Sequence, residues 1–180
     1  MNLKKIIPAS LPLVAFLFAA CGDSGKSTWE EYADWRTYNQ NWLTEMSQMK
    51  NPDGTPYYRN VVASWDPEAF VLMHLYPSDT VNTDNLKPLY TSTTKVNYTV
   101  RLANDSLIDQ GTGYVSTLNS TGLIDGWALA VMELHVGDSA EFIMPYNVAY
   151  GESGYGKILP YTNLRYGIRL VDIPYYEIRP

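Results

Sequence analysis

One cysteine in 180 residues, Cys21, excludes a disulfide framework, and the only two histidines, His74 and His135, have no cysteine or carboxylate at metal-ligand spacing. No metal site is expected. Basic side chains are scarce, 13 against 19 acidic ones, and a formal net charge of −6 argues against nucleic acid as a partner. No G-x-S-x-G elbow occurs, so hydrolase chemistry has no visible nucleophile. Gly151-x-x-Gly154-x-Gly156 is glycine-rich but lacks both the strand-to-helix context and the lysine of a phosphate loop, so no nucleotide or other cofactor is expected. What remains is 46% hydrophobic and only 18% charged, which fits one compact domain with an appendage.

The appendage is N-terminal. Lys4 and Lys5 precede an apolar run from Leu11 to Phe18 that is too short to stay in a bilayer as a spanning helix, the pattern of a cleaved export leader. The run ends in Phe18-Ala19-Ala20-Cys21, which resembles a bacterial lipobox. Cys21 would then be lipidated and serve as the membrane anchor, which also removes the anomaly of one unpaired thiol in an oxidising compartment. Loss of Lys4 and Lys5 leaves the mature chain more acidic still. The expected location is the cell envelope of a Gram-negative bacterium, lipid-anchored at the outer membrane on its periplasmic or surface side.

Gly22 to Ser27 are small and polar, as a tether requires. Thr28-x-x-Glu31 is a capping-box pattern, and Tyr32, Trp35, Tyr38, Trp42, Leu43, Met46 and Met49 then recur at helical spacing until Asn51-Pro52-Asp53-Gly54. One amphipathic helix is predicted. Its aromatic stripe fits packing onto its own domain, with a homodimer or chaperone surface as the alternative. Tyr57 to Ala63 and Ala69 to Tyr76 read as strands, and Val96, Tyr98, Val100 and Leu102 alternate with polar residues as a strand with one wet face does. Ile124, Trp127, Ala128, Val131 and Leu134 return to helical period, with Gly137 placed as a cap. Ala140, Phe142 and Met144 alternate again, as do Leu164, Tyr166, Ile168 and Leu170. The fold class is α+β: an antiparallel sheet wrapped around a short helix, preceded by the N-terminal amphipathic helix.

From Val96 onward the order of segments resembles the FKBP family of peptidyl-prolyl cis-trans isomerases. Val96-Asn97-Tyr98-Thr99 is similar to its V-x-Y-T strand, Leu107-Ile108-Asp109 to its F-D element, and Leu123-Ile124-Asp125-Gly126-Trp127 to its V-I-x-G-W helix start. Met132 to Asp138, Ile143-Met144-Pro145, Asn147-Val148-Ala149-Tyr150-Gly151, Gly154 to Pro160 and Leu164 to Leu170 follow in family order, so that the likeness covers about residues 90 to 175. The chain thereby divides into a leader (1–20), a tether and N-terminal helix (21–55), leading strands (56–89) and an FKBP-like domain (90–176).

The resemblance implies prolyl isomerisation of unfolded or extended proline-containing polypeptides, assisting the folding of exported proteins. It makes Tyr98, Asp109 and Tyr150 the catalytic set and lines the proline site with Ile108, Tyr114, Leu123, Ile124, Trp127, Tyr155, Ile158 and Tyr166. The Tyr150 hydroxyl and the Ile124 backbone N–H would hold substrate carbonyls. Rotation about an X-Pro bond crosses about 18–20 kcal/mol without making or breaking a bond, so the pocket needs neither nucleophile nor metal. Against the family pattern, Val100 replaces a glycine on the Tyr98 face and is expected to fill part of the pocket. Ile108, Tyr114 and Tyr166 replace phenylalanines, and the loop between Asp109 and Tyr114 is expected to be shortened. A catalytically weak or inactive binding or chaperone module on the same fold is the alternative reading.

Overall fold

The computed structural model describes residues 26–77 and 84–177; the export leader and the lipidation candidate Cys21 lie outside them. A short helix α1 (Thr28–Glu31) is followed by α2 (Ala33–Gln48), which ends at Met49. The single helix expected from periodicity is thus interrupted at Tyr32, whose backbone (φ −101°, ψ 22°) leaves the helical region. The capping box also sits one residue earlier than expected. Ser27 adopts the extended backbone of an N-cap and accepts from the Glu30 N–H, while the Glu30 carboxylate accepts from the Ser27 N–H at 3.0 Å.

Six strands follow: β1 (Arg59–Ala63), β2 (Asp66–Leu75), β3 (Thr93–Arg101), β4 (Leu107–Thr117), β5 (Ser139–Met144) and β6 (Leu164–Tyr175). They form one antiparallel sheet in the order β1-β2-β5-β6-β3-β4. A seven-residue helix, α3 (Asp125–Val131), packs on its inner face with every residue from Gly126 to Val131 buried. Val71 and Met73 of β2, Val96 and Val100 of β3, Phe142 and Met144 of β5 and alternate residues of β6 surround it. The expected α+β class, with a sheet around a short helix and a helix in front, is the fold observed.

Successive strand residues face opposite sides, so Leu72 and Ile143, paired across β2 and β5, point to the outer face. There Trp42 and Met46 of α2 cover them together with Tyr58. From Val71 to Met73 and from Phe142 to Met144, β2 and β5 are therefore dry on both faces, which is why β2 reads as nearly continuous apolar sequence there. α2 touches β6 at Arg165, whose guanidinium lies 5.5 Å from the Trp42 ring centroid and 3.8 Å from Met46 Sδ, and the outward positions of β3 and β6 are polar or glycine: Asn97, Thr99 and Arg101, then Arg165, Gly167 and Arg169.

Two local expectations are corrected, on Gly137 and Val100. Gly137 does not cap α3, which already ends at Val131. It instead adopts φ +101° in the turn into β5, where its N–H meets the Leu170 carbonyl at 2.8 Å. Val100 is 3% exposed within the main core and does not line the cleft described below. The stretch from Asp109 to Tyr114 is continuous strand. Val96 pairs with Tyr114 and Tyr98 with Gly111, so β4 carries one extra residue, a bulge at Thr112 and Gly113. Gly113 supplies the positive φ (+66°), and its N–H donates to Asn97 Oδ1 at 2.8 Å.

If α2 is part of the folded unit, Trp42→Ala costs the whole domain stability, about 3–5 kcal/mol as for other buried tryptophan truncations. Urea unfolding followed by sheet circular dichroism should show one transition moved to lower denaturant. A variant with an unmoved sheet transition would make α2 an independent attachment.

Candidate active site

α3 is too short to persist alone and exists because its residues are buried, so its first turn is fixed by packing. That turn carries Trp127, 4% exposed, whose indole forms the floor of a cleft of about 180 Å³. The walls are Tyr98 from β3, Asp109 and Tyr114 from β4, Gly122, Leu123 and Ile124 from the approach to α3, Tyr150 from the segment after β5, and Tyr166 from β6. Pockets for drug-sized ligands are usually about 300–1,000 Å³, so this one suits a single side chain. A larger depression of about 460 Å³ on the outer face, lined by Asn97, Thr99, Gln110 and Arg169 among others, has no indole floor and is open to solvent.

Tyr98, Tyr114 and Tyr166 stand edge-on to the Trp127 ring, with centroids at 5.4, 5.9 and 5.8 Å and interplanar angles of 90°, 88° and 75°. This is the favoured perpendicular arrangement of aromatic quadrupoles, and it fixes all four rings against one another. Gly111 lets Tyr98 lie flat on β4, because a Cβ there would come within 2.5 Å of the Tyr98 ring. Tyr98 donates its hydroxyl to Asp109 Oδ2 at 2.9 Å, and Asp109 Oδ1 accepts the Gln110 N–H at 2.8 Å. The Ile124 backbone N–H makes no hydrogen bond among the described residues.

Burial first, and the Asp109 hydrogen bond and charge second, push Tyr98 up to about 12. Burial also raises Tyr150, against a hydrogen bond from the Tyr166 hydroxyl that works the other way. Tyr166 is raised as well, mainly by burial and then by Tyr150. All three phenols stay protonated at neutral pH and can offer hydrogen bonds but not act as bases. Asp109 is the one carboxyl group lining the cleft, and no basic side chain lines it. An aromatic pocket with a single carboxyl group in its wall can bind and orient a ligand.

Eight of the sequence-predicted residues thus meet around one cleft: Tyr98, Asp109, Tyr114, Leu123, Ile124, Trp127, Tyr150 and Tyr166. Ile108 packs beside the main core, and Ile158 is buried within it. Tyr155 is 70% exposed and stacks on Tyr150 with centroids 5.3 Å apart, at the rim rather than in the lining. Gly122, with φ +104°, was not anticipated, although a glycine directly before the Leu123-Ile124 motif is a visible turn signal.

The sequence pattern described as FKBP-type peptidyl-prolyl cis-trans isomerase matches residues 86–171. FK506-binding protein 1 of Kluyveromyces lactis is 31% identical over 107 residues, which are 57% of this chain and 90% of that protein. The chain belongs to the FKBP-type peptidyl-prolyl cis-trans isomerase family. The macrophage infectivity potentiator of Trypanosoma cruzi is 32% identical over 82 residues, 44% of this chain, and the match spans only 42% of that protein. Among solved structures, a peptidyl-prolyl cis-trans isomerase of Pseudomonas syringae pv. tomato superposes with a TM-score of 0.59 at 25% identity, covering 76% of this chain and 93% of that one. The family pattern begins at Leu86 and so leaves α2, β1 and β2 in front of it.

The raised tyrosines give stability a defined alkaline limit. An unfolded tyrosine ionises near 10, whereas Tyr98 and Tyr76 hold their protons to about 12, so their contribution is complete below pH 10 and disappears as pH rises through 12. Urea midpoints should be flat up to about pH 10 and fall above it. In Asp109→Ala the phenol absorbance of Tyr98 should titrate at lower pH than in the wild type. An unchanged titration would mean that Asp109 does not act on Tyr98.

Proposed function

We propose that this chain is a peptidyl-prolyl cis-trans isomerase of the bacterial envelope, acting on unfolded or extended proline-containing polypeptides and assisting the folding of exported proteins. The observation that carries this reading is the cleft itself: a buried indole floor, three perpendicular phenol walls and a backbone N–H at its lip without a partner among the described residues. A proline ring seated on Trp127 leaves the flanking peptide at the rim, within the region of the Ile124 N–H and the Tyr150 hydroxyl. Donors fixed there hold substrate carbonyls while the imide twists, and binding that is tighter for the twisted than for the planar form lowers the barrier. The Tyr98–Asp109 hydrogen bond holds one wall in place. In this assignment Tyr98, Asp109 and Tyr150 act on the substrate, and Tyr114, Leu123, Ile124, Trp127 and Tyr166 shape the proline site. Ile108 and Ile158 support the pocket from the core, and Tyr155 extends it at the rim.

The same proposal includes the division into leader, tether and helix, leading strands and family domain, and an anchor on lipidated Cys21. It is supported by the leader pattern and by Cys21 being the single cysteine. No described helix is long and apolar enough to cross a membrane. For a homodimer through the N-terminal helix, Trp29 and Tyr38 remain exposed, whereas Trp42 and Met46 are already buried against the chain's own sheet.

A second reading, a binding or chaperone module with little turnover, is favoured by one observation: Trp65 and Tyr90 are both more than half exposed and lie 6.4 Å apart, an apolar surface of the kind that takes up unfolded chains.

A proline tetrapeptide assay separates the two readings. Tyr150→Phe and Asp109→Leu should each lower kcat/KM about five- to tenfold, the worth of roughly 1 kcal/mol of hydrogen bonding, and Trp127→Leu should lower it further. No turnover by the wild type together with suppressed aggregation of an unfolded client would establish the second reading instead. Full turnover in both Tyr150→Phe and Asp109→Leu would remove those two residues from the mechanism.

A further inference from the structure

Trp35, Asn39, Trp42 and Met46 fall on one face of α2 at helical spacing, yet only the last two belong to the buried apolar cluster against the sheet. The other two meet the segment that leads from the cleft back into β6. Trp35 Nε1 donates to Thr162 Oγ1 at 2.9 Å, and that hydroxyl donates to the Leu159 carbonyl at 2.7 Å. Asn39 is 1% exposed in the middle of α2, where a leucine would pack without cost to the helix, so its amide needs a reason. Its Oδ1 accepts the Asn163 backbone N–H at 2.9 Å, its own carbonyl accepts Asn163 Nδ2 at 2.8 Å, and its Nδ2 donates to the Trp35 carbonyl at 2.9 Å. Asn163, 2% exposed, then uses its Oδ1 to accept the Tyr146 N–H at 2.8 Å. A carbonyl on one side and an N–H on the other admit only this orientation of the Asn163 amide.

Tyr146 opens the single 3-10 turn (Tyr146–Val148) that leads to Tyr150. Its carbonyl accepts the Gly151 N–H at 2.8 Å, Gly151 in turn accepts the Tyr161 N–H at 3.0 Å, and the Tyr150 carbonyl accepts the Gly154 N–H at 3.1 Å. The Tyr161 ring, buried although its φ is +60°, sits edge-on between Tyr146 at 5.4 Å and Trp29 of α1 at 5.6 Å. Both ends of the Tyr150 segment are therefore tied to one amide, and that amide is tied to a helix outside the part of the chain that the family pattern matches.

We propose that the N-terminal helix is a positioning element of the active site: through the Asn39–Asn163 pair it fixes residues 146–163 and with them the Tyr150 side chain. Asn39 is a positioning residue and touches no substrate. The catalytic consequence rests on the isomerase reading above, whereas the mechanical one does not. It follows that the site is complete only when the helix is docked, and that loosening the pair frees the rim of the cleft before it unfolds the sheet.

The test uses the full chain and compares wild type, Asn39→Ala and Trp42→Ala, the last weakening helix docking without touching the amide pair. At a temperature where all are folded, Asn39→Ala should speed hydrogen exchange at the Tyr146, Gly151, Gly154, Tyr161 and Asn163 amides about tenfold, leave β2 and β5 protected, and lower tetrapeptide kcat/KM by a similar factor. Trp42→Ala should lower the melting temperature more and both of these less. A lower melting temperature for Asn39→Ala with exchange at 146–163 and turnover unchanged would overturn the proposal. Should Asn39→Ala fail to fold, Trp35→Phe, which loses only the bond to Thr162, decides by the same exchange readout, unchanged protection counting against the clamp. A wild type without turnover would sink the isomerase reading while exchange alone judged the clamp.

Discussion

A helix of seven residues has no stability of its own in water, and α3 is held only by what surrounds it. Six buried positions in one short helix require apolar side chains from several strands at once, which a flat sheet cannot deliver and a wrapped one can. The wrapping brings β3, β4 and β6 together over the first turn of α3, and their inward tyrosines converge on Trp127. The cleft is thus a by-product of burying the helix. No flexible loop has to find Trp127, Tyr98, Tyr114 or Tyr166, since core packing places all four. Of the five aromatic side chains, Tyr150 alone arrives on irregular chain, and it needs support from elsewhere.

Much of this was legible in the residues. Strict alternation through Val96, Tyr98, Val100 and Leu102 identified β3, and the Leu123 to Trp127 motif identified the start of α3 and the floor of the cleft. Periodicity reports which face of an element is dry and does not report its partner, which explains the misses. Val100 and Tyr98 were assigned to the same side of β3 correctly, yet Val100 lies in the core and Tyr98 at the cleft, a distinction made by the curvature of the sheet. Asn39 carried no signal at all, since its partner is Asn163, 124 positions away.

The exchange of expected phenylalanines for Tyr114 and Tyr166 keeps the ring area that walls the pocket and adds hydroxyls to it. An added hydroxyl in a partly dry site must find a partner, and Tyr166 finds Tyr150. The cleft is accordingly more polar at its rim than an all-phenylalanine version, while its floor remains an indole at 4% exposure. In the proposed assignment, affinity for the ring and control of the flanking carbonyls would be divided between two layers of the same pocket.

The outermost strands, β1 and β4, each break register with their neighbour, at Val62/Ala63 and between Val96 and Tyr98. Unbroken borders with Leu107, Val115 and Val62 about half exposed would be templates onto which another extended chain could add, backbone to backbone. Kinked borders deny such an addition more than a few consecutive bonds. On the function proposed above, such a protein could touch the prolines of half-folded neighbours without being recruited into their aggregates.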